Sequence, residues 1–282
     1  MSITATEYDY VRKLIQKSTG IVLEDGKEYL VEARLTPIVR EAKLDSMATL
    51  IGRLQKSSVD PLHKRVMDAM TTNETSFFRD QHPFEALRRL ALPDLLAKRA
   101  ASKTLSIWCA ASSSGQEPYT IAMTMYEAIP AIRDWKITFI ATDLSKAMVE
   151  RSRAGRYSQL EVNRGLPAPL LVKYFKKDGL EWQIDEKLRS MIDFRELNLL
   201  GNWGQMPPLD IVFIRNVLIY FDGSTKKEIF RRIRGAMKPD GYLFLGGAET
   251  TMNLDDNFQR NPAERSGIYQ LKTATAAVAK AA

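Results

Sequence analysis

The sequence predicts an α/β protein whose parallel sheet is doubly wound, preceded by a small all-helical unit. Three observations carry this. From about residue 104, short apolar runs rich in β-branched and aromatic residues alternate with segments of helical period. The first 70 residues show helical periods only. A turn of very small residues, CAASSSGQEP (109–118), directly follows the first strand run, where an open α/β sheet binds its ligand.

The elements follow in order. TEYDYVRKLIQKSTG (6–20) predicts a helix capped by Thr6, with Tyr10, Val11, Leu14 and Ile15 apolar and Gly20 as its stop. EDGKEYLVEARLTPIVREAKL (24–44) has a helical pattern in which Pro37 is expected to make a kink or break. DSMATLIGRLQKS (45–57) and DPLHKRVMDAMT (60–71) follow, the latter with Asp60 as N-cap and Pro61 at the first helical position. TLSIWCA (104–110) and PYTIAMTMYEAI (118–129) then make a strand and a helix, as do WKITFIATD (135–143) and SKAMVERSRAG (145–155). SMIDFREL (190–197) and LDIVFIRN (209–216) predict the third and fourth strands. STKKEIFRRIRGAMKP (224–239) predicts a helix, GYLFLGG (241–247) the fifth strand, and GIYQLK (267–272) a final short one. Right-handed crossovers wind such a chain onto both faces of its sheet. Residues 156–190 exceed what a crossover needs and are expected to form an insertion, in which LEWQID (180–185) alternates like a small exposed strand. The expected division is a helical domain over 1–75, a sheet domain over 76–272 and a disordered tail over 273–282.

The chain's 282 residues are enough for a sizeable core, and 45% hydrophobic and 27% charged content suits a soluble globular protein. No apolar run approaches the roughly 20 residues that span a bilayer, and the N-terminus lacks the basic start and apolar core of a signal peptide. A cytoplasmic location is expected. Cys109 is the single cysteine, which excludes an intrachain disulfide and a cysteine-based zinc site; with His63 and His82 far apart, no metal is expected. The net charge of +7 is unevenly spread: residues 151–177 carry seven basic side chains against Glu161, and residues 224–240 carry six against two acids. Such runs either attract polyanions or form solvated faces.

The small-residue turn lacks the lysine of a phosphate-binding loop and the three glycines of a dinucleotide fingerprint. Glu117, at the start of the next helix, would repel a phosphate and suits a cation or donor. Asp143, at the tip of the second strand, is placed to accept from both hydroxyls of a ribose. Both acids also read as local helix caps. Taken together they point to a nucleoside ligand without phosphates that bears positive charge, and S-adenosylmethionine has that chemistry. Its adenine would need an apolar slot and polar groups from later strand ends, where Asn198, Leu199, Arg215, Asn216 and Tyr220 lie.

Several motifs then match one family in its order: TTNETSFFRD (71–80), WCAASSSGQEPYTIA (108–122), ATD (141–143), LNLL (197–200), FIRNVLIYF (213–221) and KPDGYLFLGGAE (238–249). The chain resembles the chemotaxis receptor glutamate O-methyltransferases, the CheR type, over about residues 5–272. The resemblance implies a class I methyltransferase fold with a helical N-terminal domain and an inserted antiparallel β-subdomain. It implies methylation of glutamates on chemoreceptor cytoplasmic helices by S-adenosyl-L-methionine, leaving S-adenosyl-L-homocysteine. Carried over, Asn73, Thr75 and Arg79 contact the cofactor, Glu117 takes the methionine ammonium and Asp143 the ribose. Asn198, Leu199, Arg215 and Asn216 line the adenine and methionyl end, while Arg79 and Tyr220 face the substrate carboxylate. In this family the basic face of the second helix meets the receptor, making Arg34, Arg40 and Lys43 candidate contacts. The segment FKKDGLEW (175–182) is shorter than in members that dock on a receptor's C-terminal pentapeptide, so no dependence on that tether is expected. A nucleic-acid methyltransferase is the first rival reading. It lacks support, because RNVLIY replaces the proline-containing motif of base methylation and no RNA-binding module is apparent. The second is a non-catalytic sensor of the same cofactor, which would not need to keep this residue set together.

Overall fold

A computed structural model of the chain describes residues 3–57, 60–262 and 267–272; the predicted tail lies outside them. Helices α1 (Ala5–Thr19), α2 (Glu28–Glu41), α3 (Met47–Lys56) and α4 (Leu62–Met70) pack around a core of their own, with Val11, Ile15, Val31, Leu35, Leu50 and Val66 at its centre. The cap of α1 is Thr4 rather than Thr6: its side chain accepts from the Glu7 N–H and Glu7 reaches back, a reciprocal capping box. Asp60 does serve the start of α4, accepting from the Leu62 N–H at 2.9 Å, while Pro61 sits just outside the helix. Pro37 neither breaks nor ends α2, which runs continuously through it. Val31, Leu35, Ile38 and Val39 bury the opposite face of α2, and that packing outweighs the hydrogen bond lost at proline.

A helical stretch that the sequence reading did not identify connects the two units: α5 (His82–Ala86), one π-helical turn (Leu87–Ala91) and α6 (Leu92–Lys98). Thereafter come β1 (Thr104–Ala110), α7 (Gln116–Ala128), β2 (Lys136–Asp143), α8 (Lys146–Ala154), β3 (Arg156–Ser158), α9 (Gln159–Asn163), α10 (Ala168–Tyr174), β4 (Phe175–Asp178), β5 (Glu181–Ile184) and α11 (Glu186–Arg189). They are followed by β6 (Ile192–Glu196), β7 (Leu209–Ile214), α12 (Gly223–Ala236), β8 (Met237–Leu245), β9 (Phe258–Arg260) and β10 (Ile268–Leu271). The main sheet has the order β6-β2-β1-β7-β8-β10-β9. Its first five positions are parallel, and β10 enters antiparallel between β8 and β9. The insertion forms a separate antiparallel sheet, β3-β5-β4, of which the sequence reading recognised only the middle strand.

The period of two along β1 divides the core. Ile107 and Cys109 point into one apolar cluster and Trp108 and Ala110 into the other, so both faces of the sheet are covered. The basic runs fold largely onto partners. Arg151 pairs with Glu161, Arg156 with Asp178 and Glu181, Arg164 with Glu74 and Lys173 with Glu127. On and after α12, Arg231 pairs with Glu228, Arg234 with Asp255 and Lys238 with Asp210, while Arg232 lies 4.1 Å over the Trp203 ring. Lys176, Lys226 and Lys227 of these runs make no ion pair among the described residues.

Asp222 caps α12, accepting from the Thr225 N–H at 2.7 Å, and is also reached by Gln16 of α1 at 3.3 Å. The Thr225 amide, with help from Ser224, holds its carboxyl down to about 2. A depressed folded value means that the stabilisation is complete above the ordinary carboxylate range and is lost as pH falls towards 2. Asp222→Ala is expected to cost about 1 kcal/mol at neutral pH, a deficit that shrinks below about pH 4 in chemical unfolding.

Candidate functional site

One cavity lies beyond the C-terminal ends of β1, β2, β6 and β7, and all ten sequence-predicted residues line it: Asn73, Thr75, Arg79, Glu117, Asp143, Asn198, Leu199, Arg215, Asn216 and Tyr220. This is where an open α/β sheet holds ligands.

The small-residue turn is built by backbone conformation. Ala111, Ser113 and Gly115 have φ of 53°, 50° and 94°, alternating with residues of negative φ. Small side chains are required on its back as well as towards the cavity. Tyr157 donates to the Ser114 carbonyl at 2.8 Å, Ser152 donates to the Ser113 carbonyl at 3.0 Å, and a Cβ on Gly115 would lie 2.9 Å from the Tyr157 hydroxyl. Asp143 fastens the front. One carboxylate oxygen accepts from the Ser113 N–H at 2.8 Å and the other from the Ser145 N–H at 2.9 Å. Asp143 therefore does cap the following turn, and its oxygens retain lone pairs for further donors. Burial raises its pKa, against the pull of those amides.

Glu117 is not an isolated acid. The buried guanidinium of Arg215 donates from Nη1 to Glu117 and from Nη2 to Asp80 at 2.8 Å and the Arg79 carbonyl at 3.1 Å. The Cys109 thiol, pushed up chiefly by burial, lies 3.4 Å from the other Glu117 oxygen. Among the described residues, two buried side-chain polar atoms have no hydrogen-bond partner, Ser112 Oγ and Arg215 Nε. The Arg215 side chain has no accessible surface, so that N–H lies behind the cavity wall, which Arg215 reaches with its backbone. Phe78, Arg79's neighbour, has φ of 49°, and Asp80 and Gln81 have 67° and 39°, so the segment carrying Arg79 is held in a strained turn.

The helical unit closes one side of the cavity. Thr19 and Ile21, at the end of α1, line it, as do Thr71 and Thr72 of the connecting segment. None of these four was identified from the sequence. Asn198 lines the cavity and also spans the two units: its amide donates to the Ser18 carbonyl at 2.7 Å and its oxygen accepts from the Leu200 N–H at 2.9 Å. It latches the two units together. Arg34, a predicted receptor contact, instead donates to the carbonyls of Met70 and Thr71 at 2.7 and 3.1 Å and to Thr72 Oγ1 at 3.1 Å, holding the connecting segment. Arg40 and Lys43 are exposed and make no ion pair among the described residues.

Two family models divide the chain between them. "CheR methyltransferase, all-alpha domain" matches residues 6–71, and "CheR methyltransferase, SAM binding domain" matches residues 73–266. The chain belongs to the CheR methyltransferase family. Curated relatives agree over nearly the full length. "Chemotaxis protein methyltransferase 1" of Pseudomonas aeruginosa is 40% identical over 96% of this chain and 100% of its own. "Chemotaxis protein methyltransferase Cher2" of Pseudomonas putida is 38% identical over the same shares. "Chemotaxis protein methyltransferase" of Vibrio parahaemolyticus is 37% identical over 96% of this chain and 99% of its own. Family membership makes the sheet domain an S-adenosylmethionine-type cofactor domain of methyltransferase class. The cavity's donors fit that group. It offers the Glu117 carboxylate for an ammonium, the Asp143 carboxylate for hydroxyls, and apolar Ile21, Leu199, Val217 and Phe221 for a base. Among the described residues no helix is long and apolar enough to cross a membrane.

Proposed function

We propose that the chain methylates glutamate side-chain carboxylates on the cytoplasmic helices of chemoreceptors, the adaptation step of bacterial chemotaxis, using S-adenosyl-L-methionine. The observation that carries the choice of a carboxylate acceptor is Arg79. It lines the cofactor cavity, donates to the Glu74 carbonyl at 3.2 Å and forms no ion pair among the described residues, so its charge is available to an incoming acid. The relatives' names support the chemoreceptor context.

When bound, S-adenosyl-L-methionine supplies a methyl group on a sulfonium, and its transfer to a carboxylate oxygen leaves S-adenosyl-L-homocysteine. In the proposed site Glu117, held by the buried Arg215 guanidinium, takes the ammonium, and Asp143 receives the ribose hydroxyls. Asn73, Thr75, Leu199 and Asn216 complete the walls, with Asn198 holding the helical unit against them. Arg79 and Tyr220 orient the acceptor. A glutamate with an ordinary pKa of about 4.3 is already ionised at neutral pH, so no general base is needed. Alignment is the main task, and it can supply roughly 7–11 kcal/mol of such a barrier. Arg40 and Lys43 remain as steering charges for an acidic receptor bundle. The pairing of the basic runs weakens the nucleic-acid alternative. We further propose a cytoplasmic enzyme that meets the membrane only through receptors and needs no C-terminal receptor tether, since β4 and β5 are joined by just Gly179 and Leu180.

The test uses methyl-labelled S-adenosyl-L-methionine and membranes carrying a chemoreceptor with or without its C-terminal tail. Base-labile label, released as methanol, is expected equally in both forms and at least a hundredfold reduced with Asp143→Ala. Base-stable label would move the acceptor away from oxygen, and label confined to the tailed receptor would overturn tether independence.

A further inference from the structure

Glu249 follows β8 on the loop GGAE. It is not among the residues lining the cofactor cavity, and it is 8% exposed. Its carboxylate nevertheless receives four backbone N–H groups. One oxygen accepts from Asn216 at 2.9 Å and Gly246 at 2.7 Å, the other from Val217 at 2.9 Å and Leu218 at 2.7 Å. Three successive amides of the loop after β7 thus converge on one acid. Such convergence is how the backbone holds an anion, and here the chain supplies its own.

The consequence falls on the cofactor cavity, because Arg215, Asn216, Val217 and Tyr220 all line it from that loop. Asn216 has φ of 58°, in the left-handed region that asparagine enters more readily than most L residues, and its N–H bond to Glu249 holds it there. Space at the junction is already full. A Cβ on Gly246 would lie 2.8 Å from the Glu249 carboxylate and 2.9 Å from the Asn216 nitrogen. Without the carboxylate, buried amides would be left unpaired and the loop would have to turn to satisfy them.

We propose that Glu249 is a positioning residue for the cofactor site, setting the direction in which the loop after β7 leaves the sheet and thereby placing Asn216 and Val217. This rests on assigning the cavity to S-adenosylmethionine. In a glutamine at 249, one acceptor oxygen becomes an NH₂ that faces the converging N–H groups.

The test is calorimetric titration of S-adenosyl-L-homocysteine into the full chain, with each variant first shown by circular dichroism to be folded at the working temperature. Glu249→Gln is expected to weaken binding at least tenfold, and Gly246→Ala, which presses on the same junction from the other side, to do the same. Asp255→Asn is the matched control. Asp255 is another buried carboxylate, holding Arg234 and Asn257, and it lines no part of the cavity, so its loss should reduce stability and leave affinity unchanged. Parental affinity in folded Glu249→Gln, or equal affinity losses in all three variants, overturns the inference. Asp143→Ala in the same series separates the two claims. If it binds like the parent, the cavity assignment fails; if it alone loses binding, only the role of Glu249 fails.

Discussion

Arg215→Met is expected to cost about 3–5 kcal/mol of folding stability and to remove measurable cofactor binding. The guanidinium has no solvent-exposed surface, and it faces Glu117, whose side chain is 13% exposed. Removing the cation leaves that carboxylate buried and uncompensated, which is the costly half of breaking a buried pair. Asp80, 51% exposed, can turn to water and adds little to the loss. The double variant Arg215→Met with Glu117→Gln is therefore expected to regain much of the stability, since neither charge then remains to be paid for by its partner. Binding should stay absent, because the ammonium of the amino-acid end would then have no counter-charge at position 117. Urea unfolding of the four members of the cycle, with calorimetric titration of S-adenosyl-L-homocysteine, measures both quantities. Recovery of affinity along with stability would show that the pair only holds the fold together and that the ligand does not use its charges.

The difference between what the sequence made legible and what it did not is mainly one of distance along the chain. Alternating strand and helix periods are local, so the five parallel strands and their order of appearance were readable. The ten cavity residues were readable because strand ends, a small-residue turn and family motifs mark them. Thr19 and Ile21 carry no such mark. They reach the cavity through contacts between distant segments, Asn198 with the Ser18 carbonyl across 180 residues and Ile21 bridged to Phe221. The same limit misdirected the charge reading. Arg164 and Lys173 look unopposed within their own segment, but their acids, Glu74 and Glu127, lie elsewhere in the sequence. Pro37 failed as a helix breaker for a related reason: a local rule met a buried face whose packing outweighs it. Glu249 could have been suspected from a single acid following two glycines at a strand end, although nothing local shows that its four amide partners include three from another loop.

The second large effect is expected at the opposite end of the sheet, where Asp210 at the start of β7 is completely buried. Arg99 lies 2.9 Å away, Lys238 2.8 Å, and the Ser106 N–H of β1 donates to it at 2.8 Å. Asp210→Ala strands Lys238 and an amide and leaves Arg99 with Asp240 alone, and about 3 kcal/mol of stability should go with it. That is the low end for a buried pair, because Arg99 and Lys238 keep 17% and 24% exposure and can partly rehydrate. Arg99 also holds Asp240, chiefly through their hydrogen bond, below the ordinary carboxylate range. The stability that Asp240 contributes is therefore complete above that range and is lost as pH falls through its lowered folded value, so Arg99→Met should flatten the acid limb of the parent's stability profile. Neither substitution touches the cofactor cavity. At matched folded fraction, Asp210→Ala should bind S-adenosyl-L-homocysteine with parental affinity, in contrast to Arg215→Met. Both clusters are buried and built around acid–guanidinium pairs, so burial and charge alone do not distinguish a ligand site from a structural staple. What does is that Glu117 lines the cavity, whereas Asp210 lines no part of it and its surrounding cations and amide are all turned inward. Loss of affinity in folded Asp210→Ala would mean that the cavity depends on the far end of the strands that carry it, and that distinction would not stand.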